Sequence, residues 1–497
     1  SNTSGFQRTM LVAVGGKLEI KNKDVGILSI ALEEDAARPI ERKEETVVYR
    51  VDRLGIPLIE LATAPDLKTP EEVKECALKV GELFRRTCKA KRGLGTIRQD
   101  VNISIAGGAR VEIKGVQQLE LIDEFVRREA QRQVSLLALK EELGKRGLKP
   151  GIKFKINDFA KVFAASECKF LKGKKVFGAK AKGLAGLFGM ELQPNRRFGT
   201  EIAGYVKARA ALKGVLHSDE LPAYGVRQQE VENIRTELGC VEKDAFILIQ
   251  AEKEKAEKAF AVIEERIDYA FEGVPEETRN ALEGGNTEYS RPLPGAARMY
   301  PETDLGAITI EDNELKRLAG DLPLEIAERE KLYKSKGLNE KLVQKMVLSN
   351  KACFFEGLLE KELNATTAAT LLLETVVQLR RQHSAKISNS MIEEVLVAEK
   401  KGEITKDVFN DVLLAWAKNP ENGLAELVKE HGIGTSETIG LKEVVKAVVE
   451  KNSALVESRG ILAIGALMGD VMKELKGKAS GKEISELLRK EIEKRAA

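Results

Sequence analysis

Between residues 95 and 117 the chain reads GTIRQDVNISIAGGARVEIKGVQ, two alternating runs about a glycine pair. That alternation confines the stretch to a hairpin with one apolar and one charged face. Arg98, Asp100, Asn102 and Ser104 fall on one side of the first strand, and Ile97, Val101, Ile103 and Ile105 mostly on the other. AGGA makes the turn. Arg110, Glu112 and Lys114 alternate with Val111 and Ile113 on the return, so a second polar row lies beside the first. Two readings are open: a solvated sheet face, and a polar floor for phosphate and metal.

The rest of the chain is modular. Its 497 residues exceed what one hydrophobic core serves, which implies about three or four domains. Residues 1–65 are strand-like, with MLVAV, GILSIAL, TVVYRV and IPLIELA separated by Gly, Asp or Pro signals. Thr69-Pro70-Glu71-Glu72 combines an N-cap, a first-turn proline and a third-position glutamate, and predicts a helix through about Cys88. A second helix follows the hairpin and ends at GKRGLKPG, where a domain boundary is expected. Residues 149–273 change character, becoming rich in Lys, Phe and Gly, and predict an inserted α+β domain. After Pro323 the pattern is helical almost to the end, with a break near Asn419-Pro420-Glu421-Asn422-Gly423.

Composition narrows the function. Apolar residues at 43% and charged residues at 32% are those of a soluble globular chain, and no apolar run is long enough to cross a bilayer. SNTSGFQRTM lacks the organisation of a signal peptide, so further residues are expected before Ser1. Five scattered cysteines without a CxxC pair argue against a disulfide framework and a zinc site, and fit a reducing cytoplasm. His217, His383 and His431 lie far apart and are expected to be structural or exposed. A net charge of +3 means that any nucleic-acid contact must rest on local patches. Lys149 to Lys182 holds such a patch, ten lysines against Asp158 and Glu167, a balance of +8. Phenylalanines 154, 159, 163, 170 and 177 run through it; most of these rings read as core, and the lysines as RNA candidates.

Two carboxylates stand out. In GIPLIELA both strand faces are largely apolar, which predicts that Glu60 is carried inward, where it needs an arginine, a lysine, a metal ion or a raised pKa. Glu34, at the end of the apolar run before EEDA, poses the same problem more weakly. Oxygen ligands without His or Cys suit a hard cation such as magnesium. Neither GxxxxGK[ST] nor a strand-to-helix GxGxxG occurs, so no common phosphate loop identifies a nucleotide.

VDRLGIPLIELATAPDLKTPEE, GTIRQDVNIS, RVEIKGVQ and ARMYPETDL, in this order, resemble the cradle domain of the GatB/GatE family of tRNA-dependent amidotransferases. KACFFE, GEITKDVFNDVL and RGILAIGALMGDVMKELKGKA resemble its helical and YqeY-like tail domains. The segment around HSDELPAYG looks like a domain shared with bacterial aspartyl-tRNA synthetases, which points to the archaeal, E-type branch. The implied fold is α+β and multidomain: a β-rich cradle in two parts, 1–148 and 274–324, around an aspartyl-tRNA-synthetase-like domain at 149–273. An all-α helical domain at 325–425 and a YqeY-like tail at 426–497 follow.

The resemblance implies a ligase reaction with ATP and Mg2+ as cofactors. Phosphorylation of the glutamate esterified to tRNA(Gln) precedes displacement of the phosphate by ammonia. The ammonia comes from an asparaginase-like, D-type amidotransferase partner, and two copies of each protein assemble away from any membrane. It assigns magnesium to Glu34 and Glu60, with Glu33 as the alternative to Glu34. It makes Arg98, Asp100, Asn102, Glu112 and Lys114 the catalytic floor and adds Arg298 and Glu302 near the same cavity. In the tail, Lys473, Lys476, Lys478 and Lys482 are the tRNA-binding candidates. Family members begin with a Gly-Leu-Glu-Ile-His type motif that supplies further ligands; it does not occur in these residues, so the site they form is expected to be incomplete. The alternative is a tRNA-binding scaffold of the same complex without catalysis.

Overall fold

The computed structural model describes residues 9–21, 23–43, 45–93, 95–293, 306–430, 438–475 and 481–496. The chain divides into two compact units, residues 1–81 with 93–307, and residues 82–92 with 308–497.

The first unit is mixed α/β. It opens with β1 (Thr9–Ile20) and β2 (Lys23–Glu34), a small pair β3 (Arg38–Arg42) and β4 (Val47–Arg50), and β5 (Pro57–Thr63). Strands β1, β2 and β5 form one antiparallel sheet in that order, so β5 is an edge. Helix α1 (Pro70–Arg86) starts at the predicted cap, where Glu72 N donates to Thr69 Oγ1 at 3.2 Å. Its Cys76 shares a small core with Ile20 and Val25 at the turn of the β1–β2 hairpin.

The charged hairpin is present but shorter than the alternation predicts. Only β6 (Val101–Ile103) and β7 (Val111–Lys114) are regular strand, and Arg98 to Asp100 run in as unpaired chain. Gly107, at φ +75°, makes the turn in a conformation that side chains disfavour. Val101, Ile103 and Ile113 pack on Ile122, Phe125 and Val126 of α2 (Ile122–Lys145), while Val111 belongs to a larger core with Leu136 and Leu139 of the same helix. Each of these buried aliphatic side chains contributes about 1.5–3 kcal/mol. The apolar side is therefore committed to α2, which leaves the polar side open.

The central region carries β8 (Ile156–Asp158), β9 (Val176–Ala181), the short pair β10 (Glu191–Gln193) and β11 (Arg196–Arg197), and α3 (Phe198–Ala210). Next come β12 (Leu216–His217), α4 (Gln228–Glu237), β13 (Ala245–Gln250), α5 (Lys253–Glu272), β14 (Glu277–Ala281) and β15 (Thr287–Pro292). Strands pair in the order β12-β13-β9-β8, and alternate residues of β13 serve two cores. Ala245, Ile247 and Ile249 face a large core with α3 and α5; Phe246 and Leu248 face a smaller one with Phe159, Phe163 and Ile234. As expected, most of the phenylalanines are core: 159, 163 and 177 are buried, while 154 and 170 are partly so. Leu136, Leu139 and Leu143 of α2 belong to the large core too, so packing is continuous across the boundary expected at residue 148. Strands β14 and β15 return to the hairpin, giving the order β15-β14-β7-β6 with β14 parallel to β7.

Where α2, α3, α5 and β14 meet, three arginines and three glutamates are buried together. Arg132 pairs with Glu129 at 2.9 Å, Glu201 at 2.7 Å and Glu277 at 3.2 Å. Arg266 and Arg279 approach Glu201 at 2.6 and 3.3 Å, and Arg279 also bonds Glu277. Burial alone would raise Glu201, but Arg132, Arg279 and Arg266 outweigh it and hold the carboxyl well below its usual range.

The second unit is helical. Beyond α6 (Asp312–Gly320), α7 (Ile326–Ser335), α8 (Glu340–Val347), α9 (Ala352–Glu360), α10 (Ala365–Thr370), α11 (Val376–His383), α12 (Asn389–Lys400) and α13 (Phe409–Lys418) surround one core. Leu427 of α14 (Leu424–Glu430) packs into that core, across the break near Asn419. A separate core joins α15 (Thr438–Lys451), α16 (Ser453–Arg459), α17 (Ile464–Leu475) and α18 (Gly481–Ala496). The cysteine reading is corrected on one point. Cys88 and Cys353 form a disulfide across a sequence separation of 265 residues, with Arg329 Nη2 3.3 Å from the Cys353 sulfur. Spacing along the chain cannot reveal so distant a pair. Among the described residues no helix is long and apolar enough to cross a membrane.

Candidate active site

The polar side of the hairpin is built by register. Asn102 stands opposite Glu112 on β6 and β7, and Glu112 opposite Thr278 on β14, whose hydroxyl donates to Glu112 Oε2 at 2.9 Å. Lys114 reaches Asp100 at 2.8 Å and Glu112 at 3.3 Å. Partial burial would lower Lys114, but Asp100 and Glu112 outweigh it and raise its affinity for the proton. The lysine is thus a fixed cation between two carboxylates.

Glu60 adjoins this row. It is not carried inward: β5 is an edge strand whose face is uncovered, Ile59 is 54% exposed, and Glu60 is exposed as well. An apolar pattern on both sides of a strand implies burial only where something covers both faces. Crowding nevertheless shifts its chemistry. Desolvation among its neighbours, a hydrogen bond with the Glu33 carboxyl, and repulsion from Glu33 and Asp100 push Glu60 up to about 7, with Lys114 opposing.

Register also decides which glutamate is its companion. Glu33 faces Leu58 and Ala31 faces Glu60, so Glu33 and Glu60 are diagonal neighbours on one face. Glu34 faces Pro57 and lies on the other face. The expected pairing of Glu34 with Glu60 is therefore replaced by Glu33 with Glu60.

Sequence reasoning missed Asp35. Its buried carboxylate accepts from Arg53 Nε at 2.6 Å and from the Ala36 amide at 3.0 Å, and Arg98 Nη2 lies 3.8 Å away. Its backbone binds Ile56 O and Gly55 N at 2.8 and 2.9 Å. Asp35 therefore ties the turn after β2 to the entry of β5 and orients Arg98. The available signal was an acid at the end of an apolar strand with an arginine in the following VDRLG.

Of the remaining expected site residues, Lys473 is exposed on α17. Arg298, Glu302, Lys476 and Lys478 lie outside the described residues, as does the side chain of Lys482. Among the described residues no three His, Cys, Asp or Glu side chains form a complete metal cage. Two adjacent glutamates with Asp100 nearby still fit magnesium, which characteristically takes one or two protein carboxylates and fills its shell from phosphate and water. The arrangement thus combines a glutamate kept protonated towards neutrality beside a second carboxylate, a fixed lysine and an oriented arginine, a donor set suited to a metal–phosphate group.

Known proteins resemble the chain over most of its length. The profile of the GatB/GatE catalytic domain matches residues 1–316, and that of the GatB domain residues 353–492. The E-type subunit of glutamyl-tRNA(Gln) amidotransferase from Thermococcus gammatolerans is 42% identical over 501 residues, 99% of this chain and 80% of the relative. Its counterpart from Methanocaldococcus jannaschii is 42% identical over 504 residues, with the same coverage. That of Pyrococcus abyssi is 43% identical over 476 residues, 94% of this chain and 75% of the relative. Similarity of this extent, spanning the sheet, the hairpin and the helical unit alike, means that the chain belongs to the GatB/GatE family of amidotransferase subunits.

Proposed function

We propose that the chain converts Glu-tRNA(Gln) to Gln-tRNA(Gln) in an ATP-dependent reaction. Ammonia is delivered by an asparaginase-like, D-type amidotransferase partner in a cytoplasmic complex with two copies of each protein. Identity of 42% across 99% of the chain to E-type subunits of glutamyl-tRNA(Gln) amidotransferase carries the reading. In this reading residues 1–148 and 274–324 are the cradle, 149–273 the aspartyl-tRNA-synthetase-like insert, 325–425 the helical domain and 426–497 the tail.

The chemistry needs two steps because a carboxylate is a poor electrophile. An oxygen of the glutamyl side chain attacks the γ-phosphorus of ATP and ADP leaves; the nitrogen of ammonia then attacks the acyl carbon, phosphate leaves, and the amide loses its extra proton. Glu60 with Glu33, its neighbour on the same face, would hold magnesium, which would neutralise charge on ATP and on the incoming carboxylate. Arg98, steadied by Asp35, and Lys114, steadied by Asp100 and Glu112, hold phosphate oxygens. Asn102 offers an uncharged donor on the same row, and Arg298 and Glu302 complete the substrate side. Glu60, protonated towards neutrality, would give up its proton on holding a cation. Lys473, Lys476, Lys478 and Lys482 hold tRNA by its backbone.

With the ammonia-supplying partner present, Glu60→Gln is expected to lower ATP-dependent amidation at least about a hundredfold while tRNA affinity stays within about twofold. Unchanged turnover removes Glu60 from the mechanism. A wild-type complex that binds tRNA and never consumes ATP makes the chain a scaffold instead.

A further inference from the structure

The lysine-rich stretch has no part in the site above. From Phe159 to Lys175 the chain winds through successive tight turns, closed by Val162 N to Phe159 O at 3.0 Å, Lys172 N to Cys168 O at 2.9 Å and Gly173 N to Phe163 O at 3.2 Å. These turns seat Phe159, Phe163, Cys168 and Leu171 in a buried core with Val231, Ile234, Phe246 and Leu248. Lys161, Lys169, Lys172 and Lys174 are left outside, all exposed.

Two glycines hold this loop against the rest of the domain. Gly225, at φ +85°, comes so near that a Cβ would sit 3.0 Å from Cys168 Cα. Gly214, at φ +95°, meets the Phe170 ring, where a Cβ would lie 3.2 Å from Cζ. The exposed Lys213 immediately precedes that glycine, and Lys174 Nζ stands 5.7 Å from the centroid of the Phe170 ring.

Charge on this face is left unbalanced. Nearby lysines are neutralised, Lys153 by Glu264 at 2.8 Å and Lys175 by Glu252. Among the described residues Lys161, Lys169, Lys172, Lys174 and Lys213 have no carboxylate partner, and Glu167 is the one acid from residue 161 to 175. A rigid scaffold presenting unpaired ammonium groups is prepared for a polyanion, because little ordering entropy remains to be lost on binding. Lysine is depleted at protein–protein interfaces, whereas compact, rotatable ammonium groups suit phosphates of varied geometry.

We propose that this loop, with Lys213, is a docking surface for the sugar-phosphate backbone of the RNA substrate, in addition to the tail. The proposal rests on the tRNA reading above. The partner is RNA because counterion release along a chain of phosphates rewards this arrangement, and each lysine engaged adds to the salt dependence.

The test is the full chain carrying K161Q, K169Q, K172Q and K174Q, with K255Q/K258Q on the exposed side of α5 as a control. Affinity for unacylated tRNA is measured by fluorescence anisotropy from about 50 to about 200 mM salt. The expected result is a loss of about ten- to a hundredfold, a log K against log salt slope shallower by about 3, and rescue by the four arginine replacements. The control pair stays within about twofold of wild type. Unchanged affinity and slope, or an equal loss in the control, overturns the proposal. A wild-type complex that fails to amidate while the loop variant still loses RNA supports the surface and overturns only the amidotransferase reading.

Discussion

Glu33 and Glu60 meet diagonally across the β2–β5 ladder, carboxyl hydrogen-bonded to carboxyl, while Glu34 points from the opposite face. Desolvation, the contact with Glu33 and the nearby Asp100 keep a proton on Glu60 near neutrality. Glu60 titrates near 7 against an ordinary 4.5, so it binds a proton in the folded chain that the unfolded chain has lost. That contribution is complete below 4.5 and disappears as pH rises through 7. Glu60→Gln should therefore melt above wild type near pH 8, by about 1 kcal/mol given the exposure of the carboxylate, with the difference shrinking towards about pH 4. Calorimetry at the two pH values checks this; a difference that does not change with pH would mean that Glu60 holds its proton no more tightly in the folded chain than in the unfolded one.

Binding of Mg2+ with ATP should displace the proton on Glu60. At about pH 6.5, mixing the two with the chain is expected to release somewhat less than one proton per site, read with a pH indicator in weak buffer. Glu33→Gln and Glu60→Gln should each reduce the release. Release that survives in both variants would assign the cation to other groups.

Asp35 is the hinge pin of its corner, joining Arg53, Arg98 and two backbone segments. Asp35→Ala leaves Arg53 without its carboxylate and should cost about 2–3 kcal/mol in urea unfolding. The same change should raise KM for ATP more than it lowers kcat, because Arg98 loses its orientation while Lys114 keeps Asp100 and Glu112. An unaltered KM would separate Arg98 from phosphate.

The buried arginine–glutamate cluster predicts a strong single-site effect. Arg132→Met takes one arginine from Glu129, Glu201 and Glu277 at once, leaving three buried carboxylates against two arginines, and should destabilise the first unit by about 3–5 kcal/mol. Because the Glu201 carboxyl is held well below its unfolded range, its stabilisation is present above about pH 4.5 and lost as pH falls further. Denaturant melts of wild type and variant should therefore converge in acid.

Removing residues after Glu430 spares Leu427, which packs with the preceding helices, and deletes the separate core of α15 to α18. Such a chain should keep the melting transition of the remaining helices and lose tRNA affinity by about tenfold or more. Equal affinity would place the tRNA contacts elsewhere.

Much of this was legible in order along the chain. The hairpin with Asp100, Asn102, Glu112 and Lys114 on its polar side, the cap at Thr69, and the two helical cores follow from local periodicity, which needs no knowledge of distant residues. What escaped depends on tertiary placement. A register slip of one residue exchanges Glu33 for Glu34, and the irregularity between Ile27 and Ser29 that helps set that register leaves no signature in composition. Glu60 reads as buried until the sheet order makes β5 an edge. Arg132, Arg266 and Arg279 look like surface charges in the sequence, and only the packing of α2, α3, α5 and β14 turns them inward.

That ionic cluster bears on how the architecture can change over evolutionary time. A module fastened by greasy contacts can be trimmed by degrees, each shortened version exposing a little more oil. Glu201 and Arg266 lie within the central segment, whereas Arg132, Glu277 and Arg279 flank it. Excising the segment would take Glu201 and Arg266 away and open the remaining pairs, Arg132 and Arg279 with Glu129 and Glu277, to water, so its loss demands coordinated replacement on both sides of the cut.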